Sequence, residues 1–172
     1  MKLPLAASLS LGLASAAVAQ TAPAPPPRPT DCKAAEHRQL DFWVGAWRVF
    51  QTSDGLEVGS SRIEKLLDGC AIKESYDSPG APGGPYAGTS YSAWDFKDRR
   101  WHQFYVDTRG AAAWYTGGLE GANMVLTAPG PQSLQRMSYR PAPNGEVRQV
   151  GEVSTDGGKT WKRGYDYTYR RR

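Results

Sequence analysis

The chain has 172 residues, 21 Lys and Arg against 17 Asp and Glu, and a formal net charge of +4. The basic residues are scattered among acidic ones rather than gathered with aromatics into a stripe, which argues against a nucleic-acid-binding protein. Two cysteines and two histidines are too few, and wrongly spaced, for a zinc site or a haem-attachment motif, so no metal and no cofactor is expected.

Residues 1–19 place Lys2 before an apolar run from Leu3 to Ala14 and end on Ala17-Val18-Ala19. A charged start, a short apolar core and a small-residue exit make a secretory signal peptide. The run is too short to span a bilayer, so no integral membrane segment is expected and the mature chain is assigned to the periplasm or the extracellular space. Cleavage near Ala19 removes Lys2 and leaves 153 residues of charge +3, enough for one domain with its own core. Residues 20–30 form a leader with five prolines between Thr21 and Thr30, read as a disordered polyproline-type spacer.

The ordered domain is predicted to span 31–172. In an oxidising compartment, Cys32 and Cys70 read as one disulfide; Cys32 lies too far beyond the cleavage site to be a lipoprotein cysteine. From Lys33 to Val44 the chain lacks Gly and Pro and puts Leu40, Trp43 and Val44 on one face of a short helix, ended by Gly45. Beyond it, turn signals such as Asp54-Gly55, Asp68-Gly69, Arg109-Gly110, Glu120-Gly121 and Asn144-Gly145 recur about every ten residues. They delimit ten expected strands near 46–53, 57–67, 70–76, 87–96, 100–108, 112–119, 122–128, 133–141, 146–154 and 160–170. No helical segment is long enough for a crossover, so the strands form an antiparallel meander. Closing it into an up-and-down β-barrel hides its edges, and a sandwich is the alternative.

Alternation sorts each strand into two faces. In the last strand Trp161, Arg163, Tyr165, Tyr167 and Tyr169 share the face expected inside. In the third, Cys70, Ile72, Glu74 and Tyr76 do. In the fifth, Trp101, Gln103, Tyr105 and Asp107 oppose His102, Phe104 and Val106, and parity alone does not choose between them. Glu74 and Arg163 on inward faces imply a mutual ion pair, a polar patch contacting ligand, or solvated positions at a mouth. Glu74, Trp94, Gln103, Tyr105, Trp114, Arg163, Tyr165 and Tyr167 are the candidate ligand-lining residues, with Arg163 expected to draw an anionic or carbonyl group.

Gly45-Ala46-Trp47 resembles the opening of the first strand in lipocalin-like (calycin) barrels. The resemblance implies that Trp47 sits at the base of the barrel beneath a basic residue of the last strand, here Arg163, Arg170 or Arg171. His37 to Gly45, Asp68-Gly69-Cys70, Trp101-His102-Gln103 and Ser154 to Trp161 together resemble a family of small exported bacterial proteins assigned such a barrel. That family has no established activity, so the resemblance implies fold and export and carries no catalytic residues. Ser154, Asp156, Gly158, Thr160 and Trp161 also match the Asp-box of sialidases, read here as a hairpin device because 153 residues cannot build a propeller.

The leading functional expectation is an exported barrel that binds a small, partly apolar molecule. The alternatives are a structural or envelope-interaction domain whose barrel is filled by its own side chains, and an enzyme using Glu74, His102 or Asp107 as acid and base.

Overall fold

The computed structural model describes residues 31–172; the expected signal peptide and proline-rich leader lie outside the described residues. Ten strands follow one another in an antiparallel closed barrel, each bonded to the next and β10 returning to β1, with no sandwich split. They are β1 (Gly45–Gln51), β2 (Glu57–Leu66), β3 (Ala71–Ser78), β4 (Tyr86–Asp95), β5 (Arg100–Asp107), β6 (Ala112–Glu120), β7 (Asn123–Pro129), β8 (Leu134–Pro141), β9 (Val147–Ser154) and β10 (Lys162–Arg171). Closure removes the exposed edges that a ten-stranded meander would otherwise present.

The expected short helix is built as two 3-10 turns, Ala35–Arg38 and Asp41–Trp43. A 3-10 turn eclipses residues three apart, and His37, Leu40 and Trp43 are the buried residues of this segment. The tighter winding aims Leu40 and Trp43 at the barrel together. Both are fully buried, and the Trp43 ring lies 4.7 Å from that of Tyr139 and 6.3 Å from that of Tyr169. The segment plugs one end of the barrel. Trp101 donates from Nε1 to Gln39 Oε1 at 2.9 Å, and the disulfide ties Cys32 to Cys70 at the β2–β3 connection. A disulfide agrees with folding in an oxidising compartment.

The barrel closes at this end around Trp47. Its indole donates to the Trp43 carbonyl at 2.8 Å, and the guanidinium carbon of Arg171 stands 4.1 Å from its ring centroid. Arg171 also donates to the Val44 carbonyl at 2.8 Å. Of the three candidate arginines, Arg171 therefore covers the base. Gly45 is required here: its φ is +146°, and a Cβ would fall 2.2 Å from Arg171 Nη1. Arg170 instead points outward and shares the Phe50 ring with Arg48, at 4.5 and 5.0 Å. That stacking explains how an outward phenylalanine stays 7% exposed.

The β9–β10 hairpin is the Asp-box-like turn. Asp156 accepts from the amides of Lys159 and Thr160 at 3.0 and 2.9 Å and from the Thr160 hydroxyl at 2.6 Å. Ser154 Oγ accepts from the Gly158 amide at 2.8 Å and donates to Asp156 at 2.7 Å, while Trp161 Nε1 donates to the Gly158 carbonyl at 3.0 Å. The Thr160 hydroxyl and amide bonds hold the Asp156 carboxyl well below the usual carboxylate range.

One expectation about β10 fails. The register shifts between Arg163 and Tyr165, a bulge centred on Gly164. Parity is broken there, so Trp161 and Arg163 do not continue the inward row of Tyr165, Tyr167 and Tyr169. Arg136 covers the Trp161 ring at 4.1 Å, and Arg163 reaches Asp166 at 3.0 Å with its side chain 60% exposed. Asp166 also accepts from Arg148 Nε at 2.7 Å, making an outer ion cluster. The Glu74–Arg163 pair does not form.

Candidate functional site

Pairing across the sheet assigns every inward position. Trp47 pairs with Ser61, Ser61 with Tyr76, Glu74 with Ser90, Ser90 with Tyr105, and Gln103 with Tyr115. On the other side Met124 pairs with Tyr139, Tyr139 with Gln149, Gly151 with Tyr165, Gln149 with Tyr167, and Tyr169 with Val49. Eight of the nine tyrosines face the interior; Tyr91 alone is outside.

The interior has three zones. The plugged half is a packed apolar core of Leu40, Trp43, Trp47, Ile63, Ile72, Trp101, Met124, Leu126, Val147 and their neighbours. A polar layer of Ser61, Glu74, Ser90, Ser92, Gln103 and Gln149 follows, all buried. Beyond it Tyr76, Tyr86, Tyr105, Tyr165 and Tyr167 ring the far end and are partly exposed.

Glu74 is the central group of the polar layer. Its Oε1 accepts from the Ser61 hydroxyl at 2.9 Å. The Tyr169 hydroxyl lies 3.4 Å away but has a closer acceptor in Gln149 Oε1 at 2.6 Å, which takes its single proton. The Ser90 hydroxyl is near enough to favour the ionised carboxylate yet makes no hydrogen bond of acceptable geometry, and it is buried. Among the described residues no cation contacts Glu74. Burial therefore dominates, and the hydroxyls offset only part of it: the carboxyl is pushed up to about 7.

This has a consequence for stability. A carboxyl raised from its ordinary value of 4.5 to about 7 contributes stability that is complete below the lower value and lost as pH rises through the upper one. The loss amounts to about 3 kcal/mol at 1.36 kcal/mol per unit. Asp41, Asp107 and Asp166 are lowered and act oppositely, withdrawing stability only as pH falls below the ordinary aspartate range. Chemical denaturation of a protein spanning residues 31–172 should give higher stability near pH 5 than at pH 8, and Glu74→Gln should remove most of that difference. A Glu74→Gln protein with the same decline would contradict the assignment.

At the rim, Asp107 accepts from the Tyr86 and Tyr105 hydroxyls at 3.1 and 3.3 Å and from the Arg109 and Ala111 amides at 2.9 and 3.0 Å. Burial raises the Asp107 carboxyl, but these four donors outweigh it and keep it ionised. Tyr86 and Tyr105 also hydrogen-bond to each other. The Tyr76 ring packs edge-on to Tyr86 at 6.0 Å, and Tyr165 stacks on Tyr167 at 5.0 Å. Close packing of the Tyr165 ring over Gly151, where a Cβ would meet it at 2.0 Å, requires the glycine.

Of the expected lining residues, Glu74, Gln103, Tyr105, Tyr165 and Tyr167 meet in the interior. Gln103 donates to Ser92 Oγ at 3.0 Å. Trp94 has inward parity but pairs with Trp101 at the plugged end, away from the tyrosine ring. Trp114 lies on the outer surface, 67% exposed, with its ring 4.4 Å from that of Phe104, because its neighbours Ala113 and Tyr115 hold the inward positions. Tyr76, Tyr86, Ser61 and Ser90 belong to the site and were not singled out as lining residues from the sequence. Strand alternation marks Tyr86, Gly88, Ser90 and Ser92 as one face, but that face is small and polar, so hydrophobicity does not distinguish it as inward.

His102 is outside the barrel wall, so it does not converge with Glu74 and Asp107. Its Nε2 pairs with Asp98 at 2.8 Å and its Nδ1 with Thr116 at 3.2 Å. Asp95, Asp98 and His102 bring ligand atoms within 4.8 Å of one another. Both aspartates already accept turn amides, from Lys97 at 2.8 Å and Arg100 at 3.1 Å. A shallow depression of about 560 Å³ outside the plugged end is lined by Cys32, Lys33, Arg38, Lys65 and Asp68. Its Arg38 and Lys65 are both paired with Asp41, so it offers little free charge. Among the described residues no helix is long and apolar enough to cross a membrane.

The chain matches no model of a known protein family, and no curated protein matches it.

Proposed function

We propose that this is an exported barrel protein that binds a small, partly apolar molecule in its interior, through the tyrosine-ringed end. The observation that carries this reading is the layering of that end. Partly exposed aromatic rings with hydroxyl tips stand over a buried floor that holds a carboxyl without a cation and a serine hydroxyl without a hydrogen-bond partner. Native interiors satisfy buried polar groups, and an aromatic wall with a few unspent polar groups is how small-molecule sites are built. The lipocalin-like resemblance of Gly45-Ala46-Trp47 agrees with a ligand-binding barrel, and the disulfide agrees with export.

A second reading, a structural domain filled by its own side chains, is favoured by the continuous apolar core of the plugged half and by the stacking of Tyr165 on Tyr167. The neutral fluorophore N-phenyl-1-naphthylamine separates the two. Binding is expected to be saturable at one site, weakened at least tenfold by Ala113→Trp, which fills the tyrosine-lined end, and unchanged by Trp114→Ala on the outer face. Loss of binding in Trp114→Ala alone would move the site to the outer aromatic patch. Absence of saturable binding to the unmutated protein would favour the self-filled barrel.

A further inference from the structure

Resting on that reading, we propose that the ligand of the tyrosine-ringed end carries a positively charged nitrogen. The site takes a small alkylammonium or arylammonium ion, with its charge held between the Glu74 carboxylate and the tyrosine rings and its apolar body along the aromatic wall.

The bulge at Gly164 reverses the electrostatics expected from the sequence. It turns Arg163 out to Asp166 on the outer surface and leaves Lys162, opposite Val153, as the one inward lysine of this end, exposed at the mouth and away from the floor. The floor itself holds a carboxyl and no cation. The inward positions around the floor are Ser61, Tyr76, Ser90, Tyr105, Gln149 and Tyr167, none of them Lys or Arg. Two carboxyls face the same space, Glu74 in the floor and Asp107 at the rim. An anionic ligand reaching the floor would meet Glu74, which no cation contacts, and low-dielectric surroundings make that costly. A cation would meet two carboxylates and several aromatic faces, the arrangement that recognises ammonium groups.

Three further details fit. The Ser90 hydroxyl is 1% exposed, without a partner, and paired in register with Glu74, so it can accept from an N–H beside the carboxylate. Asp107 fixes the Tyr86 and Tyr105 rings through their hydroxyls. Tyr86 already receives a guanidinium: Arg109, held on the rim loop by donation to the Pro82 carbonyl at 2.6 Å, lies 5.1 Å from its centroid.

Binding should also depend on pH. The groups facing Glu74 from the surrounding strands are the hydroxyls of Tyr76, Tyr105, Tyr139, Tyr165 and Tyr169 and the carboxyl of Asp107. The tyrosines are all raised and stay neutral, while Asp107 stays ionised, so between pH 6 and pH 8 Glu74 alone changes charge there. An alkylammonium near the lysine value of about 10.4 remains a cation throughout.

The test uses the mature full chain and three probes with the same six-carbon body: hexylammonium chloride, 1-hexanol and sodium hexanoate, measured by isothermal titration calorimetry. At pH 8 hexylammonium should bind at least tenfold more tightly than either other probe. Its affinity should fall about tenfold at pH 6 while that of hexanol stays constant. Glu74→Gln should erase the preference for hexylammonium and keep hexanol binding; the pH profile of the unmutated protein decides the matter even if that variant folds poorly. Equal or tighter binding of hexanol or hexanoate would overturn the charge assignment and leave the binding-barrel reading standing. Failure of all three while N-phenyl-1-naphthylamine binds would do the same. Failure of all four would overturn both.

Discussion

Trp47→Ala should destabilise the protein by about 3–5 kcal/mol, the range for truncating a large aromatic in a packed core. Trp47 is fully buried at the centre of the plugged end. Its indole N–H holds the Trp43 carbonyl at 2.8 Å, its ring meets Tyr169 edge-on at 6.2 Å, and Arg171 lies over it at 4.1 Å. Removing the ring opens a cavity and also strips the surface on which Arg171 lies, beside Gly45 and the returning strand β10. Urea denaturation of a protein spanning residues 31–172, followed by far-ultraviolet circular dichroism, measures the loss. A change below 1 kcal/mol would mean that the base of the barrel is held by something other than this stack.

The second large effect belongs to the disulfide. Cys32 and Cys70 are 38 residues apart in sequence, and releasing a loop of that length should lower stability by about 3–4 kcal/mol on the chain-entropy estimate. The bond does more than restrict the unfolded chain. It fastens the segment carrying Leu40 and Trp43 to the β2–β3 connection, so its loss should loosen the plug before the rest of the barrel. In Cys32→Ser/Cys70→Ser, amide exchange should rise first in residues 35–43 and only at higher denaturant in β5–β8. Titration of the unmutated protein, produced in an oxidising compartment, under denaturing, non-reducing conditions should find no reactive thiol; two would contradict the pairing.

The barrel was legible because its signals are local. Turn pairs such as Asp54-Gly55 and Asn144-Gly145 punctuate the chain at strand length, and each of the ten expected strands lies within two residues of its observed bounds. Eight inward tyrosines then follow wherever alternation runs unbroken. The site was legible only in part, for two physical reasons. Gly164 sits in a bulge, and one extra residue reverses every side chain before it; a glycine between Arg163 and Tyr165 was the only sign, and glycine has other uses in strands. The inner face of β4 is small and polar, since Ser90 and Ser92 oppose Glu74 and Gln103, so a reading that equates inside with apolar does not find it. The reassignment of Arg163 removed the anion-binding expectation, and it left Glu74 as a buried carboxyl whose ionisation lowers stability at neutral pH.

The central claim is that the tyrosine-ringed interior receives a ligand, and the position of Tyr91 allows one direct test. It is the single outward tyrosine, 50% exposed and near the Phe104–Trp114 patch, so it reports on the outer surface while the other eight report on the interior. Two-dimensional proton–carbon spectra of protein labelled in its tyrosine rings should be recorded during titration with N-phenyl-1-naphthylamine. The account predicts saturable shifts in Tyr76, Tyr86, Tyr105, Tyr165 and Tyr167, little change in Tyr139 and Tyr169 beneath the polar layer, and none in Tyr91. Shifts confined to Tyr91, with the interior rings unmoved at saturation, would contradict it.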